Sequence, residues 1–232
     1  MKVLAFDYDG TIAQEGLLGE TMRAALQAAR HAGMPLILAT GRRFEDLLAV
    51  CPDALALFDR VVAECGAVLA RAGGRPVPLV EPVSERLEEA LRLRQVPTLR
   101  GLVLLATEVG HQPLVEQLVG QLRLDVRVVR NRDSLVIVPV SVSKASGLSH
   151  ALASLGVTEA EAVAFGDGEN DVPMLAGSAL GVAVADAVSE LRMAADVVLA
   201  RPGPDCLAEF VLELVRSSVP PSEFDPEEGA LV

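Results

Sequence analysis

The sequence predicts an α/β fold: a doubly wound, parallel (Rossmann-like) sheet core with a small inserted α/β cap. Three observations predict it. Short apolar runs alternate with helix-like stretches at both ends of the chain, the pattern of βαβ units. Hydrophobic residues make up 51% of the 232 residues and aromatics only 3%, so the strands are aliphatic, as suits a sheet buried on both faces. The alternation changes character between Pro82 and Pro139, prolines that sit where two linkers would join an insert.

The elements follow in order. VLAF (3–6) reads as a buried strand, and a helix-like segment covers 19–33, closed by Leu26, Ala29, Arg30 and Gly33. PLILAT (35–40) is a second strand, followed by a helix over 43–50 and a third strand, RVVAE (60–64). Residues 67–79 read as a small hairpin turning at Gly73 and Gly74. The middle segment reads helix (84–95), strand (101–106), helix (111–122) and two strands (125–130, 134–138). After Lys144 come a helix (145–155), strand AVAFG (162–166), a helix (171–176) and strand LGVAVA (180–185). A helix (187–193), strand DVVLA (196–200) and a helix (205–216) complete the series.

The expected division is therefore a core of residues 1–81 and 140–216 with a cap of 82–139 between its halves. The cap holds eight arginines against seven acids, so it is slightly basic within a chain of net charge −12. The tail 217–232 is rich in Pro, Ser and acids and is expected to be disordered.

Composition also excludes partners. A net charge of −12 argues against nucleic acid, whose phosphates need a basic footprint, and against anionic membrane surfaces. No stretch approaches the ~20 apolar residues of a membrane span. The opening MKVLAFDYDG meets Asp7 after four apolar residues, unlike a secretory signal. Cys51, Cys65 and Cys206 are scattered without metal-ligand spacing, which fits buried thiols in a reducing cytoplasm. Oligomeric state is not written in the sequence, and a homodimer is compatible with it.

Four motifs carry chemistry. In FDYDGT, Asp7 and Asp9 lie two residues apart just past a strand, so both carboxylates face one spot. Two acids held together repel unless something positive lies between them, which points to a bound metal. The ordinary alternative is a D-G hairpin turn. In LATGRR, Thr40 and Gly41 end a strand before a helix and offer a hydroxyl and N–H groups to an anion; plain helix capping by Thr40 is the alternative. In GDGENDVPML, Asp167, Asn170 and Asp171 gather on a strand-to-helix loop, with more polar groups than capping needs. Lys144 opens a helix and alone reads as a surface charge. Asp7, Thr40 and Asp167 each fall at the carboxyl end of a strand, where open α/β sheets bind ligands.

In that order, DYDGT, ATGR, a lysine and GDGENDVPM resemble the haloacid dehalogenase superfamily of phosphatases, over residues 1 to about 200. The insert between the second and third motifs resembles the Cof-type subgroup. The resemblance implies that Asp7 is a nucleophile forming an aspartyl-phosphate and Asp9 the general acid, then base. It implies that Thr40, Gly41 and Lys144 bind the phosphoryl group. Mg²⁺ would be held by Asp7, the carbonyl of Asp9 and Asp167, with Asn170 and Asp171 orienting that shell. An all-oxygen set suits Mg²⁺. Two positions depart from the pattern: Cys65 stands where asparagine is frequent, and Ala145 where glycine is.

The cap is expected to set specificity. Arg127 and the pair Arg130 and Arg132 are candidates for gripping a carboxylate or second phosphate, and on a regular strand only one set can face the site. A small cap predicts a small phosphorylated metabolite, phosphoglycolate or a monosaccharide phosphate. Two rivals stand beside this reading. A phosphomutase would share the intermediate, and a non-catalytic binding or regulatory protein would share the fold.

Overall fold

The computed structural model describes residues 2–131 and 134–218. Its larger sheet has eight strands in the order β14-β13-β12-β1-β4-β5-β6-β7. These are β1 (Val3–Asp7), β4 (Leu36–Ala39), β5 (Arg60–Ala63), β6 (Val68–Ala70), β7 (Val77–Pro78), β12 (Ala162–Gly166), β13 (Leu180–Ala183) and β14 (Val197–Val198). All neighbours from β14 through β5 run parallel, while β5, β6 and β7 pair antiparallel. Every residue of β1, β4 and β12 is buried, which requires cover on both faces and explains their unbroken aliphatic runs.

The helices supply that cover. Helices α1 (Glu20–His31) and α9 (Pro204–Ser218) pack together, and α6 (Lys144–Leu155) packs on β4, β5 and α7 (Val172–Ala176). Helix α2 (Phe44–Val50), the short α3 (Ala54–Leu57) and α8 (Ser189–Ala194) complete the layers. The strand order reverses at β1, between β12 and β4, so the crevice of a doubly wound sheet opens at the carboxyl end of β1.

The inserted cap has its own four-stranded antiparallel sheet in the order β10-β11-β9-β8. Its strands are β8 (Leu99–Arg100), β9 (Leu105–Glu108), β10 (Val126–Asn131) and β11 (Ser134–Pro139). Helices α4 (Glu85–Arg92) and α5 (Gln112–Leu122) share a core with Leu105, Leu135 and Ile137. Strand alternation sends Val136 and Val138 to the other face, where Leu104, Ala106, Val129 and the core residue Cys65 meet them.

Three expectations need correction. The strand over 101–106 is broken: Gly101 N–H donates to the Leu104 carbonyl at 3.0 Å, closing a turn between β8 and β9. The N–H groups of Leu102, Val103 and Leu104 then serve the carboxylate of Glu64 instead of a ladder. The strand over 196–200 shrinks to Val197–Val198, an edge strand paired on one side. The alternative weighed for Thr40, helix capping, falls away, because α2 begins at Phe44 after Arg43. Helix α9 continues through Ser218, two residues into the expected tail; 219–232 lie outside the described residues. A hairpin of β2 (Ala13–Gln14) and β3 (Leu17–Leu18) was not foreseen. It turns at Glu15 and Gly16, both at positive φ (52° and 79°), as tight hairpins require.

Candidate active site

Strand β1 delivers Asp7 to the crevice with 3% of its surface exposed. One carboxylate oxygen, Oδ1, accepts from Lys144 Nζ at 2.5 Å, and the other accepts from Thr11 Oγ1 at 3.0 Å. Tyr8 turns inward and donates to the Gly16 carbonyl, fixing the hairpin beneath the loop. Gly10 has φ +84°, and a Cβ there would lie 2.1 Å from Asp167 Oδ2. The turn and the close approach of the β12 loop each demand glycine at this point.

Lys144 is the first residue of α6, behind a capping box in which Ser143 and Ser146 satisfy each other's backbone N–H. Its side chain is 3% exposed, and its ammonium lies between Asp7 and Asp171, 2.6 Å from the latter. Burial works to lower its pKa, but these two carboxylates prevail and raise it above the usual lysine range. Asp171 is fully buried, and its second oxygen accepts the N–H groups of Asp167 and Gly168 at 3.2 and 3.1 Å. It thereby ties the β12 loop to Lys144.

Asp7, Asp167 and Asp171 bring carboxylate oxygens within 4.8 Å of one another, against one ammonium. Burial, with Asp171 and Asp167 adding to it, holds the Asp7 pKa well above the carboxylate range despite Lys144. Burial and Asp171 raise Asp167 likewise. A buried excess of negative charge offering only oxygen donors fits a hard divalent cation. Asn170 is exposed at the rim and borders the same cavity.

Two cavities meet here. The inner one, about 240 Å³, is lined by Asp7, Asp9, Gly41, Arg42, Cys65, Lys144, Asp167 and Asn170, with Val129, Arg130 and Val136 from the cap. The outer one, about 390 Å³, has Arg42, Arg43 and Asp46 on its core wall and Leu99, Leu104, Ala106, Ser134 and Val136 on its cap wall. Asp9, Gly41, Arg42 and Val136 border both. Thr40 lies just behind this wall, buried, its hydroxyl oxygen accepting from Arg42 N–H at 3.2 Å, which leaves its O–H to donate.

Arg42 was missed by sequence reasoning. Its Nε and Nη2 fork onto both oxygens of Asp9 at 2.6 and 2.7 Å, a bidentate pair, while the guanidinium sits 5.7 Å from the Tyr8 ring centre. The signal was the arginine following ATG, but its partner is 33 residues away in sequence. Arg127 and Arg130 stand on opposite faces of β10, but cavity lining does not follow the pleat: Arg130 borders the inner cavity and Arg127 borders neither. Arg127 pairs with Val138 in register, on the site-facing side. Its Nη2 donates to the Val142 carbonyl at 2.7 Å, and its buried Nε has no partner among the described residues. Arg130 borders the inner cavity, yet its Nε donates to Gln112 at 3.1 Å. Arg132 lies outside the described residues.

Most of the chain matches known proteins. A family model described as haloacid dehalogenase-like hydrolase matches residues 4–83 and 98–211. A phosphoglycolate phosphatase from Methanothermobacter thermautotrophicus is 31% identical over 220 residues, covering 91% of this chain and 97% of that one. A second, from Archaeoglobus fulgidus, is 28% identical over 228 residues, covering 93% and 96%. The crystal structure of a haloacid dehalogenase-like hydrolase from Bacteroides thetaiotaomicron superposes with a TM-score of 0.78 at 23% identity, over 92% of this chain and 99% of that one; it shares the fold. The chain belongs to the haloacid dehalogenase-like hydrolases and by class is a phosphatase. Among the described residues no helix is long and apolar enough to cross a membrane.

Proposed function

We propose that the protein is a Mg²⁺-dependent phosphomonoesterase for a small phosphorylated metabolite, phosphoglycolate first among candidates, working through a phosphoryl group carried on Asp7. The observation that carries the proposal is the placing of Asp7 and Asp9 on two joined cavities: Asp7 in the inner one alone, Asp9 where inner and outer meet. The phosphoryl group would occupy the inner cavity and the leaving group the outer.

A carboxylate needs no base to become a nucleophile. Its obstacle is charge, because a like-charge pair at ~4 Å costs about 4 kcal/mol at an effective dielectric of ~20, roughly three decades of rate. Lys144, already seated on Asp7, offsets part of that repulsion, and the Thr40 hydroxyl and Gly41 N–H would donate to phosphoryl oxygens. Asp7, Asp167 and the Asp9 carbonyl would hold Mg²⁺, which supplies further positive charge at the phosphoryl group.

The first step forms a bond between an Asp7 oxygen and phosphorus and breaks the ester P–O bond. The leaving oxygen takes its proton from Asp9. In the second step Asp9 takes a proton from water, whose oxygen bonds to phosphorus as the bond to Asp7 breaks. Inorganic phosphate leaves and Asp9 is protonated again. Asp9 begins in the Arg42 fork, accepting on both oxygens, and must leave at least one arm of it and take up a proton from solvent before it can act as the acid. A leaving group bearing a carboxylate would compete for that guanidinium, which favours phosphoglycolate, and the names of the two relatives point the same way.

The test is phosphate release from phosphoglycolate and a panel of phosphorylated metabolites, with Mg²⁺ and with EDTA, wild type beside Asp7→Asn. Mg²⁺-dependent release, highest kcat/KM on a compact substrate and loss in the variant are expected. Release that persists in Asp7→Asn would exclude the nucleophile assignment. Transfer to a sugar phosphate without net release would replace the phosphatase with a mutase.

A further inference from the structure

Glu64 is fully buried, yet among the described residues its carboxylate forms no ion pair. It accepts three backbone N–H groups instead: Leu102 at 2.8 Å on Oε1, and Val103 and Leu104 at 2.8 and 2.9 Å on Oε2. All three belong to the turn between β8 and β9 of the cap, while Glu64 follows β5 of the core. Gly101 completes the socket, since a Cβ there would lie 2.5 Å from Oε1.

The backbone carrying Glu64 is forced. Glu64, Cys65 and Gly66 have φ of 55°, 61° and 109°, three left-handed residues in succession, two of them not glycine. Such strain persists where the surroundings over-determine it. Here Glu64 N–H donates to the Arg42 carbonyl at 2.9 Å and Cys65 N–H to the Thr40 carbonyl at 3.1 Å. A Cβ on Gly66 would lie 1.9 Å from the Ser143 carbonyl, next to Lys144. One strained tripeptide therefore touches the loops that carry Thr40, Arg42 and Lys144, and reaches out to the cap through Glu64. A second tie runs alongside, from Arg43 Nη1 to the Arg100 carbonyl at 3.1 Å.

We propose that Glu64 is a positioning residue that docks the β8–β9 turn onto the site loops and so sets the leaving-group wall of the outer cavity. That wall includes Leu104 of the docked turn and Leu99 of β8 just before it. The cap cannot lift at this edge without baring three N–H donors and a carboxylate. The inference rests on the phosphatase reading for its kinetic half and on the geometry alone for its docking half.

Two measurements separate those halves. Hydrogen exchange of the wild type should find the Leu102–Leu104 amides protected, and Glu64→Gln, which puts an NH₂ donor against N–H donors, should release them while β1 and β12 stay protected. Kinetically, Glu64→Gln should raise KM for phosphoglycolate about tenfold and leave kcat on acetyl phosphate within about twofold, because that small activated donor needs little from the wall. Gly101→Ala, which presses on the carboxylate from the cap side and leaves Glu64 in place, should shift KM in the same direction if Glu64→Gln folds poorly. Unchanged amide protection would overturn the docking. Equal losses on both substrates, or released amides with unchanged KM, would overturn the positioning role. A wild type inactive on every phosphomonoester would sink the phosphatase reading, and with it the KM claim, while exchange would still decide the docking.

Discussion

Asp7 and Glu64 are both buried carboxylates at the ends of parallel strands, and they are kept in opposite ways. Glu64 is satisfied by three neutral N–H groups aimed at its two oxygens, so its charge is matched by dipoles and nothing remains for chemistry. Asp7 shares one ammonium with Asp171 and lies against Asp167, so its charge is only partly matched. The first arrangement builds a joint; the second holds a group whose ionised form is disfavoured until a cation arrives. A buried acid is thus diagnosed by what surrounds it, and burial alone separates nothing.

The comparison breaks most sharply under Asp7→Asn. Turnover should fall at least about a thousandfold, while the melting temperature holds or rises, because the fold disfavours that charge. Glu64→Gln should do the reverse, losing about 1–3 kcal/mol per orphaned N–H while the chemical step survives. If both variants moved stability and turnover in parallel, the distinction would collapse.

Lys144→Met comes next. It leaves Asp7 and Asp171 buried without their counter-charge, which should cost about 3–5 kcal/mol of stability and at least about a hundredfold in kcat. Denaturant unfolding at neutral pH beside steady-state rates reads both, and a stable, active variant would contradict the arrangement. Arg42→Ala frees Asp9 from its fork. We expect a loss of about ten- to a hundredfold in kcat/KM for phosphoglycolate, and a smaller loss for a phosphate ester without a carboxylate. Equal losses would remove Arg42 from recognition.

The smallest effect is a pH dependence. Asp7 and Asp167 have folded pKa values raised above the unfolded value of about 3.9. Their contribution is therefore fully present below that value and lost as pH rises through the raised folded values. Lys144, raised above the usual lysine range, stays charged throughout and adds no slope. In EDTA, the melting temperature of wild type relative to Asp167→Asn should fall as pH climbs from about 4 to 7, and Mg²⁺ should restore it. A relative gain over that range would reverse the sign and refute the charge excess.

Much of this was legible in the sequence because it is local. FDYDGT and GDGEND each place carboxylates at fixed short spacing after an apolar run, and the strand alternation locates both at one sheet edge. Lys144 was legible only in combination: taken alone it reads as solvated, yet it is among the most buried polar residues of the chain. What stayed hidden depends on distant partners. The run Leu102-Val103-Leu104 has the composition of a strand, and nothing nearby announces that Glu64, some forty positions earlier, takes its N–H groups. The Arg42 fork on Asp9 is hidden for the same reason. For Thr40 the sequence left helix capping open as an alternative to anion binding, and only the structure, in which the helix starts four residues later, removes it.

The central claim is that Asp7 carries the phosphoryl group, and reductive trapping tests it most directly. Enzyme mixed with Mg²⁺ and phosphoglycolate is quenched into borohydride, which reduces an aspartyl-phosphate to homoserine, and the peptides are sequenced by mass spectrometry. The account predicts homoserine at position 7, dependent on substrate and absent without it. Rapid turnover with position 7 unmodified and another carboxylate reduced in its place would contradict it.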